Sequence, residues 1–164
     1  MKIALIYYSF SGKTSKAVEY LKERFTSGDN QVEIVEIKPQ SEERNFFKQG
    51  MAALRKQTCD LSNYMNYDLS EFDYIILATA VWAFSITVPL RSYLEKAKNL
   101  ENKNTGFFLT CGSGTGAKKA LGELESILIG RGAKIVCSAV LKGNKVTDID
   151  YLDKQLTSFL NFRV

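Results

Sequence analysis

Short apolar runs alternate with longer stretches in which apolar residues recur every three or four positions, along nearly the whole chain. KIALIYY, Lys2–Tyr8, is apolar on both faces and predicts a strand buried on both sides. Between Thr14 and Phe25, the residues Ala17, Val18, Leu21 and Phe25 share one helical face. Gln31–Ile37 carries Val32, Ile34, Val35 and Ile37 and predicts a second strand; FDYIILATA, Phe72–Ala80, predicts a third. Pro89 suits the first turn of a helix that Leu90, Tyr93, Leu94 and Ala97 continue. TGFFLTC, Thr105–Cys111, predicts a fourth strand, and Ala117–Ile129 a helix with Leu121, Leu124 and Leu128 on one face. Ala133–Leu141 predicts a fifth strand and Asp148–Leu160 a closing helix. Lys38–Ser70 is the least regular segment: Glu42–Gln57 predicts a helix weakened at Gly50, and the polar stretch after it, through Asn66, a loop.

Strands that alternate with helices specify an α/β fold. The expected architecture has three layers (αβα), with a five-stranded parallel sheet covered by helices on both faces. No repeat, low-complexity tract or linker divides the chain, so residues 1–164 are expected to form one domain. The uncharged stretch Tyr74–Leu90 is at the lower limit for a membrane span. Thr79, Ser85, Thr87 and Pro89 interrupt it, and a buried strand followed by a loop accounts for it better.

Composition narrows the chemistry. There is no histidine, which removes histidine-based zinc sites, Ser-His and Cys-His dyads and a histidine acid or base. No metal site is expected, and a redox or transfer reaction would need a bound cofactor. Cys59, Cys111 and Cys137 are far apart with no C-x-x-C pair, which argues for a reducing, cytoplasmic setting. The N-terminal apolar run is too short for a signal peptide. The net charge of +4 is mild, and basic residues are interspersed with acidic ones, as in EYLKERF. That is a solvated mixed surface rather than a nucleic-acid patch.

The candidate chemistry begins at SFSGKTS, Ser9–Ser15, between the first strand and the first helix. A triphosphate loop requires G-x-x-x-x-G-K-[ST], and Tyr7 stands where its first glycine would be. What remains is a short hydroxyl-rich turn. Ser9, Ser11 and Thr14 supply hydroxyls, Gly12 permits a tight turn, and the helix N-terminus supplies free N–H groups and a positive dipole end. Such a turn suits one phosphate, such as a monoester; the simpler alternative is a helix cap by Ser11 or Thr14. In an open parallel sheet of order 2-1-3-4-5, ligands bind beyond the carboxyl ends of the first and third strands. The loop after strand three, Thr79–Val88, holds the lone tryptophan, Trp82, and the loop after strand four is the glycine-rich CGSGTGA, Cys111–Ala117. A phosphate turn, an aromatic plate and a glycine-rich edge converge, which suits a flat aromatic phosphomonoester.

These three motifs, in this order, resemble the flavodoxin-like family, whose members bind flavin mononucleotide (FMN). YYSFSGKT is similar to the family's phosphate loop, FDYIILATAVWAFSITVPLRSYLEK to its strand-three segment, and FFLTCGSGTG to its third flavin loop. The resemblance spans essentially the whole chain. It implies that Ser9, Phe10, Ser11, Gly12, Lys13 and Thr14 hold the phosphate. Thr79, Ala80, Val81, Trp82, Ala83 and Phe84 would border the ring, with Trp82 stacked on it. Cys111, Gly112, Ser113, Gly114 and Gly116 would line the other edge. Lys13 replaces the family's common asparagine, Ala80 replaces a common proline, and the chain is basic where many electron carriers are acidic. Lys13 or Lys118 near the ring would favour the reduced, anionic flavin. The opposite flavin face is bare or covered by Phe46, Phe47 or Met51.

The implied function is an FMN-binding redox protein that carries electrons between protein partners. The alternatives are an NAD(P)H-dependent reductase of a quinone or similar small molecule, and a flavin-free binding module of the same fold. Its partner is a redox protein or a nicotinamide or quinone substrate, and a homodimer is compatible with it. Cys111 reads as a small buried hydrophobe. GSGTGA also fits a dinucleotide fingerprint, but the next strand ends Leu141-Lys142, without the acidic residue that fingerprint needs.

Overall fold

The computed structural model describes residues 1–43, 45–62 and 65–162, except for the side chain of Phe46. The parallel strands are β1 (Lys2–Tyr7), β2 (Gln31–Glu36), β3 (Tyr74–Trp82), β5 (Asn104–Cys111) and β6 (Lys134–Lys142), and a two-residue strand β4 (Ser85–Ile86) folds back on β3. The helices are α1 (Lys13–Thr26), α2 (Phe46–Leu54), α3 (Val88–Lys96), α4 (Ala117–Gly130) and α5 (Ile149–Leu160). The sheet runs β2-β1-β3-β5-β6. This is the expected parallel order, and among the described residues β4 is the one strand the periodicity does not predict.

Two apolar cores lie on opposite faces of this sheet. Phe107 and Phe108 show how: successive side chains of a strand point to opposite faces, so Phe107 joins the core under α3 and α4 and Phe108 the core under α1 and α5. Each such ring, fully buried, contributes roughly 1.5–3 kcal/mol. Both faces of β1, β3 and β5 are covered, which is why their sequences lack polar alternation.

Two segments differ from expectation. The helix predicted over Glu42–Gln57 is shorter: α2 begins after Asn45, whose side chain accepts the N–H groups of Phe47 and Lys48 and so caps it. The loop expected at Thr79–Val88 is mostly extended. β3 continues through Trp82, turns at Ala83-Phe84 and returns as β4, with Val81 opposite Ile86 and Trp82 opposite Ser85. Ala83 and Phe84 have φ of 43° and 68°, both left-handed, as in the tight turns that join two twisted strands. Such turns normally announce themselves with Gly or Asn; this one has neither.

Candidate functional site

The carboxyl ends of β1, β3 and β5 lie side by side, and the three expected loops meet there. The first is Tyr8–Gly12. Gly12 precedes α1 with φ 77°, and no side chain caps the helix. Ser9 Oγ instead accepts the Ser15 N–H at 3.3 Å, one turn in. Ser11 is exposed. The first turn of α1 holds no acidic residue, so no side-chain carboxylate offsets the positive end of its dipole. Thr14 departs from the expectation of a hydroxyl aimed at the phosphate. It is 1% exposed, and its Oγ1 is hydrogen-bonded to Thr110 Oγ1 at 2.8 Å. Its hydroxyl ties α1 to β5, and its backbone is what remains for a ligand. The Lys13 stem lies against Gly143, just beyond β6: a methyl on Gly143 would sit 3.0 Å from Lys13 Cδ.

The second loop is the end of β3 and its turn. Trp82 belongs to the strand rather than to a loop, and it is 6% exposed. Its ring meets Tyr8 edge-on at 5.7 Å and Phe10 at 6.2 Å between centroids. In this conformation Trp82 joins the first and second loops. Thr79 and Ala80 pair with Leu109 and Thr110 of β5, and Thr79 Oγ1 lies 2.6 Å from Thr87 Oγ1. Their β5 side is thus spent in the sheet. On the other side, pairing with β1 ends at Tyr7 opposite Ala78, and Tyr8 N–H donates to the Ala78 carbonyl at 3.1 Å. Beyond that point the strands part.

Two left-handed non-glycine residues in succession cost about 1–2 kcal/mol each, so the surroundings must hold the turn. A methyl on Gly50 would touch Ala83 Cβ at 3.5 Å, and one on Gly116 would lie 2.6 Å from Phe84 Cδ1 and 2.9 Å from its Cα. Only bare backbone lets Phe84 lie there. Beneath the turn, Ser85 Oγ donates to Glu123 at 2.6 Å and Arg91 Nη2 donates to Glu123 at 2.8 Å and to Ser85 Oγ at 3.0 Å. Burial pushes the Glu123 carboxyl up, but the bonds from Ser85 and Arg91 and the charge of Arg91 outweigh it and hold it below the usual carboxylate range.

The third loop is Cys111–Gly116. Gly114 and Gly116 have φ of 79° and 80°, and no side chain caps α4. Ser113 Oγ accepts the Thr115 N–H at 3.4 Å. Cys111 is 7% exposed and its thiol faces the Leu141 carbonyl at 3.6 Å, as a small core residue would. Gly112 is the informative position. Its φ is not left-handed, and nothing lies within 4 Å of where its Cβ would be. Neither conformation nor packing requires glycine there; it leaves bare backbone beside open space, which fits the edge of a flat ring.

The second loop thus touches both others, the first through Trp82 and the third through Phe84 and Gly116, while Thr14 and Thr110 tie the start of α1 to the end of β5 beneath them. Of the side chains expected over the opposite face, Phe47 is 76% exposed, Met51 is half-buried, and that of Phe46 lies outside the described residues. Sequence reasoning missed Tyr8, Thr110 and the Arg91–Glu123 pair. Tyr8 donates to Glu42 at 3.0 Å, and burial, then Glu42, pushes its hydroxyl far up. For Arg91 a hint existed, a lone charge in the apolar run VPLRSYL. For Thr14 and Thr110 there was none.

Residues 1–147 match the family described as NADPH-dependent FMN reductase. No curated protein sequence matches the chain. Among solved structures, the flavoprotein in complex with FMN from Lactobacillus acidophilus NCFM is 20% identical, with a TM-score of 0.69, over 91% of this chain and 98% of that one. Oxidised flavodoxin 2 from Bacillus cereus is 18% identical, with a TM-score of 0.64, over 98% and 97%. A flavodoxin from the domain Archaea is 14% identical, with a TM-score of 0.59, over 99% and 100%. At these identities the likeness is one of fold, and the fold is flavodoxin-like.

Proposed function

Because the chain belongs to the NADPH-dependent FMN reductase family, we propose that it is an FMN-binding oxidoreductase that takes reducing equivalents from NADPH and passes them to a quinone or similar acceptor. The observation that supports this most is the bare backbone at Gly112, open within 4 Å, on the rim where the three loops lie side by side. FMN, when bound, supplies the hydride and electron chemistry that a chain without histidine lacks. The chain's own residues bind and orient. The leading N–H groups of α1, with Ser11, hold the phosphate, and Gly12 allows the turn that presents them. Backbone at Gly112–Gly114 borders one ring edge, and the open end of β3 beyond Ala78 borders the other. Trp82 backs the site, pinned between Tyr8 and Phe10. Free cysteines at Cys59, Cys111 and Cys137 suit a reducing, cytoplasmic setting.

A second reading, an electron carrier between proteins, is favoured by Phe10 and Phe84, 40% and 48% exposed at the rim. Purified protein loaded with FMN separates the two. Steady oxidation of NADPH with added quinone supports the reductase. Its absence, with rapid reduction by a partner reductase, supports the carrier. Apo-protein that leaves Trp82 fluorescence unchanged as FMN is added overturns both.

A further inference from the structure

Behind the Phe84 turn lies a second recess of about 440 Å³, walled by Phe84, Ser85, Arg91, Glu123, Lys119 and Lys56. Phe84 belongs to both places, since it packs on Gly116 at the end of the third loop. At 1.5 Å per residue, Lys119 and Glu123 stand roughly 5 and 10 Å along α4 from that glycine. The recess thus begins at the rim of the proposed flavin site and runs away from it.

Its charge is one-sided. Arg91 and Glu123 neutralise each other at 2.8 Å, with side chains 9% and 14% exposed. Lys56 and Lys119 are exposed, and neither has a carboxylate within 4.0 Å among the described residues. Arg91 is 8% exposed. Its Nη2 serves Ser85 and Glu123, while its Nε is buried with no acceptor among the described residues. Two lysines without a carboxylate partner, beside the exposed Phe84 ring, give the recess a positive wall.

We propose that this recess receives the 2′-phosphate end of NADPH, with Lys119 and Lys56 holding the phosphomonoester and Phe84 packing against the adenosine. The assignment rests on the reductase reading above. A phosphomonoester carries close to two negative charges at neutral pH, which matches the two free lysines. It is also the group by which NADPH differs from NADH, and basic side chains are the general means of selecting it.

The test uses 2′,5′-ADP and 5′-AMP, which differ in the 2′-phosphate, titrated into the purified FMN-loaded protein by calorimetry. A charge-assisted bond predicts that 2′,5′-ADP binds roughly 12- to 150-fold more tightly, with an advantage that shrinks as salt rises. Lys56→Ala with Lys119→Ala, both on the surface, should bring the ratio close to one and leave FMN affinity unchanged. Equal binding of the two nucleotides by the unaltered protein overturns the proposal, as does a preference that survives in the double variant. A preference for 2′,5′-ADP without NADPH oxidation counts against the reductase reading and leaves the anion site standing.

Discussion

Replacing Gly112 with alanine separates a glycine kept for the fold from one kept for a ligand. In the free protein the new methyl meets nothing within 4 Å and the backbone is not left-handed. Gly→Ala at a compatible position stabilises by about 0.4–1 kcal/mol, because the unfolded chain loses freedom. The apo-variant should therefore melt at or slightly above the parent temperature. With FMN in the proposed site, the methyl would stand where the ring edge is expected. Overpacking of that size costs about 1–3 kcal/mol, which at 1.4 kcal/mol per decade weakens binding roughly 5- to 150-fold. Gly116→Ala is the contrasting case. Its φ is 80° and its Cβ would lie 2.6 Å from Phe84 Cδ1. The left-handed conformation alone costs about 1–2 kcal/mol, and the clash adds to it, so a drop of roughly 5–10 °C follows for a domain of this size. Thermal melts of the apo-proteins and FMN titrations followed by Trp82 fluorescence read both. If Gly112→Ala melts normally and binds FMN as tightly as the parent, the space beside that glycine is not the ligand's and the reasoning fails.

Thr14→Val should destabilise by about 1–3 kcal/mol, because it strands the buried Thr110 hydroxyl; in denaturant unfolding, Thr14→Val/Thr110→Val should lose less than the two single changes summed. Ser11→Ala, at an exposed position, should weaken FMN about 2- to 12-fold and riboflavin hardly at all, which calorimetry of both ligands checks. Glu123 is held below its ordinary value, so its contribution is complete above the unfolded carboxylate range and disappears as pH falls through the folded value. Glu123→Gln should accordingly lower the melting temperature at pH 7, with the difference from the parent shrinking as pH falls through the folded value; a constant difference would show that the charge is not responsible.

Each parallel strand and the helices α1, α3, α4 and α5 were legible in the chain, because a buried element writes its period into its own residues. The order of the three loops was legible too, since turn chemistry is local. The α2 boundary was not: whether Asn45 or an earlier residue opens the helix depends on which side chain captures the first N–H groups. The β3–β4 turn escaped notice because Ala83 and Phe84 bear no mark of the left-handed backbone they adopt. Gly50, Gly116 and the Ser85–Glu123–Arg91 network hold that turn from α2, α3 and α4.

By itself the sequence determined the layers, the parallel sheet and the rim to which the segments after β1, β3 and β5 come. Tertiary structure alone decided that Thr14 turns inward to Thr110, that Trp82 lies buried between Tyr8 and Phe10, and that Lys56 and Lys119 border one recess with Arg91. The physical reason is range. Periodicity and turn propensity act over a few residues, whereas a hydroxyl's partner, a ring's exposure and a cation's neutraliser come from elements far away in the chain.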